Sequence, residues 1–152
     1  VILQVVRADF RNAIAQAIVR VTNPLVLPLR RVIPPIGKFD VASLVALLLV
    51  QFAAAAILLS LSGFALEPAG LARVALMELL RNVLQFYLVA IIIYVILSWV
   101  APGTYSPAGA LLASICEPLL APVRRVIPPI GGLDLSALFV LIGLQALLIL
   151  LR

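Results

Sequence analysis

The residues best equipped for chemistry in this chain come in matched sets. Arg30-Arg31 and Arg124-Arg125 each lead into Val-Ile-Pro-Pro-Ile-Gly, so Pro34 and Pro35 follow the first pair as Pro128 and Pro129 follow the second. Paired prolines lack two backbone donors and stop a helix, which predicts a turn or an extended run after each arginine pair. Guanidinium forks suit phosphate and carboxylate, and the apolar residues around them favour the edge of a bilayer. The motif reads as a docking surface for a membrane partner or anionic lipid, or as a basic anchor that fixes topology.

Asp40 and Asp134 each stand one residue ahead of an apolar run. That is the place of a helix N-cap, where a carboxylate meets orphan amides and the positive helix end. A cation site is the other use of a carboxylate there, and pairing with the upstream arginines fits both. Gln51 and Gln145 lie at matching depths inside apolar runs. An amide in lipid seeks a partner on another helix. The two are expected to face each other, with Ala53 to Ala56 and Gly143 permitting close packing, or else to line a polar path.

The remaining chemistry is sparse. Without a single histidine the chain lacks the commonest general base and metal ligand. One cysteine, Cys116, makes neither an internal disulfide nor a thiolate metal site, and it reads as a small filler of a helix face. Ser43, Ser60, Ser98 and Ser136 have no histidine or lysine base at helical spacing. No charged residue falls clearly inside an apolar run, which argues against a proton relay or an ion-coupled pump. These residues imply no enzyme, no cofactor and no resident metal.

The elements that must position these groups are apolar. The chain is 65% hydrophobic and 11% charged, against about 45–50% and about 25% in soluble domains, with a mean hydropathy of +1.28. Residues 41–61 form a charge-free span interrupted only by Ser43, Gln51 and Ser60, since about 20 apolar residues cross a bilayer core. Its roughly dozen Val, Ile, Leu and Phe residues favour insertion by several kcal/mol on the insertion scale. Residues 83–101 and 135–151 are two further spans, and 1–6 read as the tail of a fourth, truncated at Val1. Phe10, Ile14, Ile18 and Val21 make one face of an amphipathic segment, with Asn12, Gln16 and Arg20 opposite. In a second such segment Ser106 and Pro107 read as N-cap and first helical residue, and Ala108, Leu111, Leu112 and Ile115 make its apolar face. Both segments are too short and polar to span and are expected to lie in the interface. Residues 68–82 are expected to be an interfacial helix or an extension of the third span.

At an offset of 94 residues the chain overlays itself without a gap: Pro24 matches Pro118, Pro28 matches Pro122, and the arginine, aspartate and glutamine pairs coincide. Two spans per copy make the copies parallel repeats, with both arginine–proline blocks on one side. Arg7, Arg11, Arg20 and Lys38 join that side, while Arg73, Arg81 and Arg152 mark the other. The positive-inside rule assigns the richer side to the cytoplasm, with Trp99 and Tyr105 as an aromatic belt. The net charge of +5 is therefore matched to anionic lipid rather than nucleic acid.

With the doubled RRVIPPIG, Asn23-Pro24, Glu117-Pro118 and the run from Ser98 to Pro107, nearly the whole chain resembles the YggT family, also called YlmG-like. The resemblance implies a small multi-spanning protein of bacterial inner or plastid membranes. Relatives are associated with osmotic-stress tolerance, with cytochrome assembly in plastids and with division or nucleoid placement, but no agreed activity comes with the family.

The expectation is an all-α membrane protein of about four transmembrane helices. Repeat 1 covers residues 1–62, a connecting segment 63–82, and repeat 2 residues 83–152. It would act in the bacterial inner membrane as a non-catalytic scaffold or assembly factor, binding membrane partners or anionic lipid through basic proline-rich cytoplasmic loops that hold Arg30, Arg31, Arg124 and Arg125. Its partners would be the bilayer, anionic lipid and other membrane proteins, with self-association into a homo-oligomer left open. The alternative is a small ion channel or transporter in osmotic or ion homeostasis.

Overall fold

The computed structural model describes residues 1–6, 9–35, 40–63, 67–100, 106–127 and 134–151. Within these the chain is helical and contains no strand. The helices are α1 (Ile2–Val5), α2 (Ala13–Val32), α3 (Val41–Leu61), α4 (Pro68–Val100), α5 (Pro107–Val126) and α6 (Leu135–Leu150). Arg7, Lys38, Tyr105, Pro128, Pro129 and Arg152 lie outside the described residues.

The apolar composition of α3 makes it a helix on every side, and its ends are chemically marked. Asp40 caps its start, accepting from the backbone N–H of Ser43 at 3.3 Å and from the Ser43 hydroxyl at 2.7 Å. Past its end Gly63 takes a φ of 73°, the left-handed turn that glycine adopts without a Cβ clash. At 1.5 Å per residue α3 is about 31 Å long, matching a bilayer core. Helices α3 and α4 are long and apolar enough to cross a membrane. The 16-residue α6 is a shorter apolar helix.

Residues 68–82 belong to α4, which runs unbroken through Val100. The segment is thus continuous in helix with residues 83–100. At roughly 50 Å, α4 exceeds a bilayer core, so tilt or protrusion must absorb the excess.

The arginine pairs are helical. Helix α2 continues through Pro24 and Pro28 to end at Val32, and α5 continues through Pro118 and Pro122 to end at Val126. Arg30, Arg31, Arg124 and Arg125 thus occupy last helical turns and not the proline-rich loops, which corrects the expectation that placed them in loops. Proline inside a helix removes the bond to the carbonyl four residues back. Here the prolines are spaced by four and all exposed, so the missing bonds stack along one accessible face, where water or headgroups can satisfy the carbonyls. The helix yields only at Pro34-Pro35.

Contacts divide the chain into two compact units. One comprises Val1 and Val19–Asn82. Its core is thin and built on small residues: Val26, Ala42 and Ala46 are buried, with Leu29 and Ile33 packed against them. The other comprises Ile2–Ile18 and Val83–Arg152. There α5 packs on α6, and Leu111, Ile115, Cys116 and Leu120 join Ile91, Ala137, Val140 and Leu144 in one cluster. The α5 spacing is one helical face, so the stripe expected from Leu111 and Ile115 is buried core.

Candidate functional site

In the first unit, the last turn of α2 meets the first residue before α3. Arg30 Nε donates to Asp40 Oδ2 at 3.0 Å, and Nη2 of the same side chain pairs with that oxygen. Asp40 thereby does two things at once. One oxygen receives the amide of α3's first turn and the other receives the guanidinium. The carboxylate is a cap and a clamp.

The second unit repeats the arrangement with more partners. Arg124 Nε and Nη2 donate to Asp134 Oδ2 at 2.8 and 2.6 Å, and Nη1 donates to Glu117 Oε2 at 2.9 Å. Asp134 caps α6, accepting from the backbone N–H of Ser136 at 3.1 Å and from its hydroxyl. Burial alone would raise the Asp134 carboxyl, but the bonds from Ser136 and Arg124 and the guanidinium charge outweigh it. The carboxyl is held below its ordinary value. For Arg124 burial acts downward, and hydrogen bonds to Asp134 and Tyr94 together with the two carboxylates more than reverse it. Both groups stay charged across the neutral range.

The neighbouring arginines behave differently. Arg31 and Arg125 are exposed and make no ion pair among the described residues. Each is followed by an exposed valine, Val32 or Val126, and Pro34 and Pro35 beyond the first are exposed as well.

The glutamines part company. Gln51 is buried at the midpoint of α3, and Asn82 Nδ2 of α4 donates to its Oε1 at 3.5 Å. Gln145 is exposed on α6. Just before Asn82 on α4, Glu78 and Arg81 form an ion pair at 2.7 Å. Cys116 is buried in α5 and its thiol is pushed up to about 11, chiefly by burial. Ser106 caps α5 as expected, accepting from Gly109 N–H at 2.9 Å with Pro107 in the first turn.

Sequence reasoning did not single out Glu117, Tyr94 or Asn82. For Glu117 a signal existed: it stands two helical turns before Arg124 and so on the same face of α5. No such signal joins Asn82 to Gln51. Among the described residues no group of His, Cys, Asp and Glu side chains is arranged to hold a metal.

The chain matches the CCB3/YggT family over residues 1–61 and 74–152. It is 46% identical to an uncharacterized protein of Pseudomonas aeruginosa, covering 95% of this chain and 74% of the relative. It is 40% identical to an uncharacterized protein of Vibrio alginolyticus, covering 94% and 78%. It is 34% identical to the uncharacterized protein YggT of Escherichia coli K12, covering 95% and 75%. No solved structure matches it.

Proposed function

The chain belongs to the CCB3/YggT family, and from that premise we propose that it is a non-catalytic membrane scaffold or assembly factor. It engages membrane partners or anionic lipid through the basic ends of α2 and α5. One observation carries the reading. At both helix ends one arginine is committed to a cap carboxylate while the next is exposed and, among the described residues, without an ion pair. A purely structural anchor would have no need of the second.

Counting spans supplies the topology of this reading. In this reading residues 1–6 are the tail of one crossing and α3, the apolar part of α4 and α6 make three more, which would put the two basic helix ends on the cytoplasmic face of a bacterial inner membrane. Crosslinkers placed at the exposed residues Val32 and Val126, beside the two arginines, in the full chain in native membranes are expected to capture a defined set of membrane proteins. Reversing Arg31 and Arg125 to Glu should abolish that capture while leaving insertion intact. Unchanged capture would refute the reading, as would labelling that places the two positions on opposite faces.

A small channel or transporter is the second reading. It is favoured by the polar row of Glu78, Arg81 and Asn82 on α4, which reaches Gln51 about 15 Å from either end of α3. Glu78 and Arg81 stand within about one helical turn of Asn82, and ionisable groups carried to that depth would mark an ion pathway. Ion flux into proteoliposomes that disappears in a Gln51→Leu, Asn82→Leu double variant would raise this reading above the first.

A further inference from the structure

We infer that Arg31 and Arg125 are phosphate ligands for anionic phospholipid, each holding one headgroup beside the start of an apolar helix. This rests on the docking reading above and names its occupant. The arginine before each one serves the fold instead.

The committed carboxylates come first. Arg30 takes Asp40, and Arg124 takes Asp134 and Glu117. The acidic groups described at the two helix ends are thereby engaged, and no ion pair neutralises Arg31 or Arg125 among the described residues. Two exposed guanidinium groups are left seeking an anion.

Depth selects the anion. Asp40 and Asp134 are the caps of α3 and α6, so they mark the level at which apolar chain begins. The clamps tie the last turns of α2 and α5 to that level. Arg31 and Arg125 lie one residue further along their helices, a displacement of about 1.5 Å along the axis and about 100° around it. They remain where a bilayer keeps its phosphates.

The next residue excludes the simplest alternative. Val32 and Val126 are 81% and 80% exposed. A soluble acidic peptide would meet the guanidinium and leave each valine wet. A phospholipid meets both, with phosphate on the arginine and acyl chain against the valine, as in the snorkelling of long basic side chains. Arginine also suits the task because its fork bonds phosphate oxygens in pairs.

The test uses the full chain in nanodiscs of phosphatidylcholine with phosphatidylglycerol, with the lipids retained by the released protein counted by native mass spectrometry. Wild type should retain phosphatidylglycerol several-fold above its share of the bilayer, with the preference falling as salt rises. An Arg31→Gln, Arg125→Gln variant should retain the two lipids in bilayer proportion, and an Arg31→Lys, Arg125→Lys variant should keep most of the preference. Wild-type preference in the glutamine variant overturns the inference. If that variant keeps the lipid preference but loses its crosslinked protein partner, the lipid assignment falls and the scaffold reading stands. If it loses the lipid preference and keeps the partner, the assignment holds and the partner surface lies elsewhere.

Discussion

Arg124 donates from two of its nitrogens to a single oxygen of Asp134, at 2.8 and 2.6 Å, while the other oxygen of that carboxylate holds the first turn of α6. One aspartate therefore sets both where α6 begins and where α5 ends. The same division of labour joins Arg30 to Asp40 at the start of α3. Charge-assisted bonds of this kind are about twice as strong as neutral ones, and removing one partner strands the other.

Asp134→Asn is a clean probe of the clamp, because asparagine still caps a helix and only the charge is lost. It should lower stability by about 1–2 kcal/mol, read as an earlier thermal transition in detergent. Asp40→Asn should have a similar effect, since the exposures of the two pairs balance, at 44% and 13% for the Arg30 and Asp40 side chains and 28% and 30% for those of Arg124 and Asp134. A loss several-fold larger in one variant than in the other would mean that exposure does not govern these pairs.

Acid should undo the second clamp in a defined direction. The Asp134 carboxyl is lower in the folded chain than in the unfolded one. Its contribution is therefore complete above the ordinary carboxylate pKa of about 3.9 and is lost as pH falls through the lower folded value. The stability gap between wild type and Asp134→Asn should stay constant from neutral pH down to about 5 and close only in stronger acid. A gap that vanishes by pH 6 would contradict the cause assigned to the shift.

Much of this architecture is legible in the residues, and what is not has a physical reason. Residues 41–61 announce themselves as α3 because an uncharged apolar run of that length has no other stable form in a bilayer. Asp40, Asp134 and Ser106 announce their helix starts because short polar side chains ahead of a run have little else to bond. The passage of α2 and α5 through Pro24, Pro28, Pro118 and Pro122 is hidden, since proline reads as a breaker unless the missing bonds are known to lie on one exposed face. The partner of Gln51 is hidden too. Glutamine at matching depth in two spans points to Gln145, but a single sequence does not reveal that the helix carrying Asn82 lies beside α3.

Gln51 offers a test of how much an interhelical amide contributes here. Its bond to Asn82 is long, at 3.5 Å, and Asn82 is itself exposed. Bonds between membrane helices average only about 0.6 kcal/mol. Gln51→Leu should therefore shift the thermal transition little, by the equivalent of less than about 1 kcal/mol. A larger loss would show that the bond is tighter in the membrane, or that Gln51 has a second polar partner there.

Cys116 serves as a built-in reporter for all of these measurements. It is fully buried, it is the only cysteine, and its thiol is pushed up to about 11. At pH 7.5 fewer than about one molecule in a thousand carries the thiolate that reacts with alkylating reagents. Alkylation of the folded chain should thus be slowed twice, by burial and by protonation. In the unfolded chain both restraints disappear and the thiol returns to an ordinary pKa near 8.5. Labelling at neutral pH should consequently report opening of the α5–α6 packing, and it should quicken in Asp134→Asn before any loss of helix is seen by circular dichroism. The reason is local: Asp134 ties the end of α5 to the start of α6, and Cys116 lies on the face of α5 that this tie keeps closed. Fast labelling of the folded wild type would show that α5 leaves its packed position far more readily than its buried face implies.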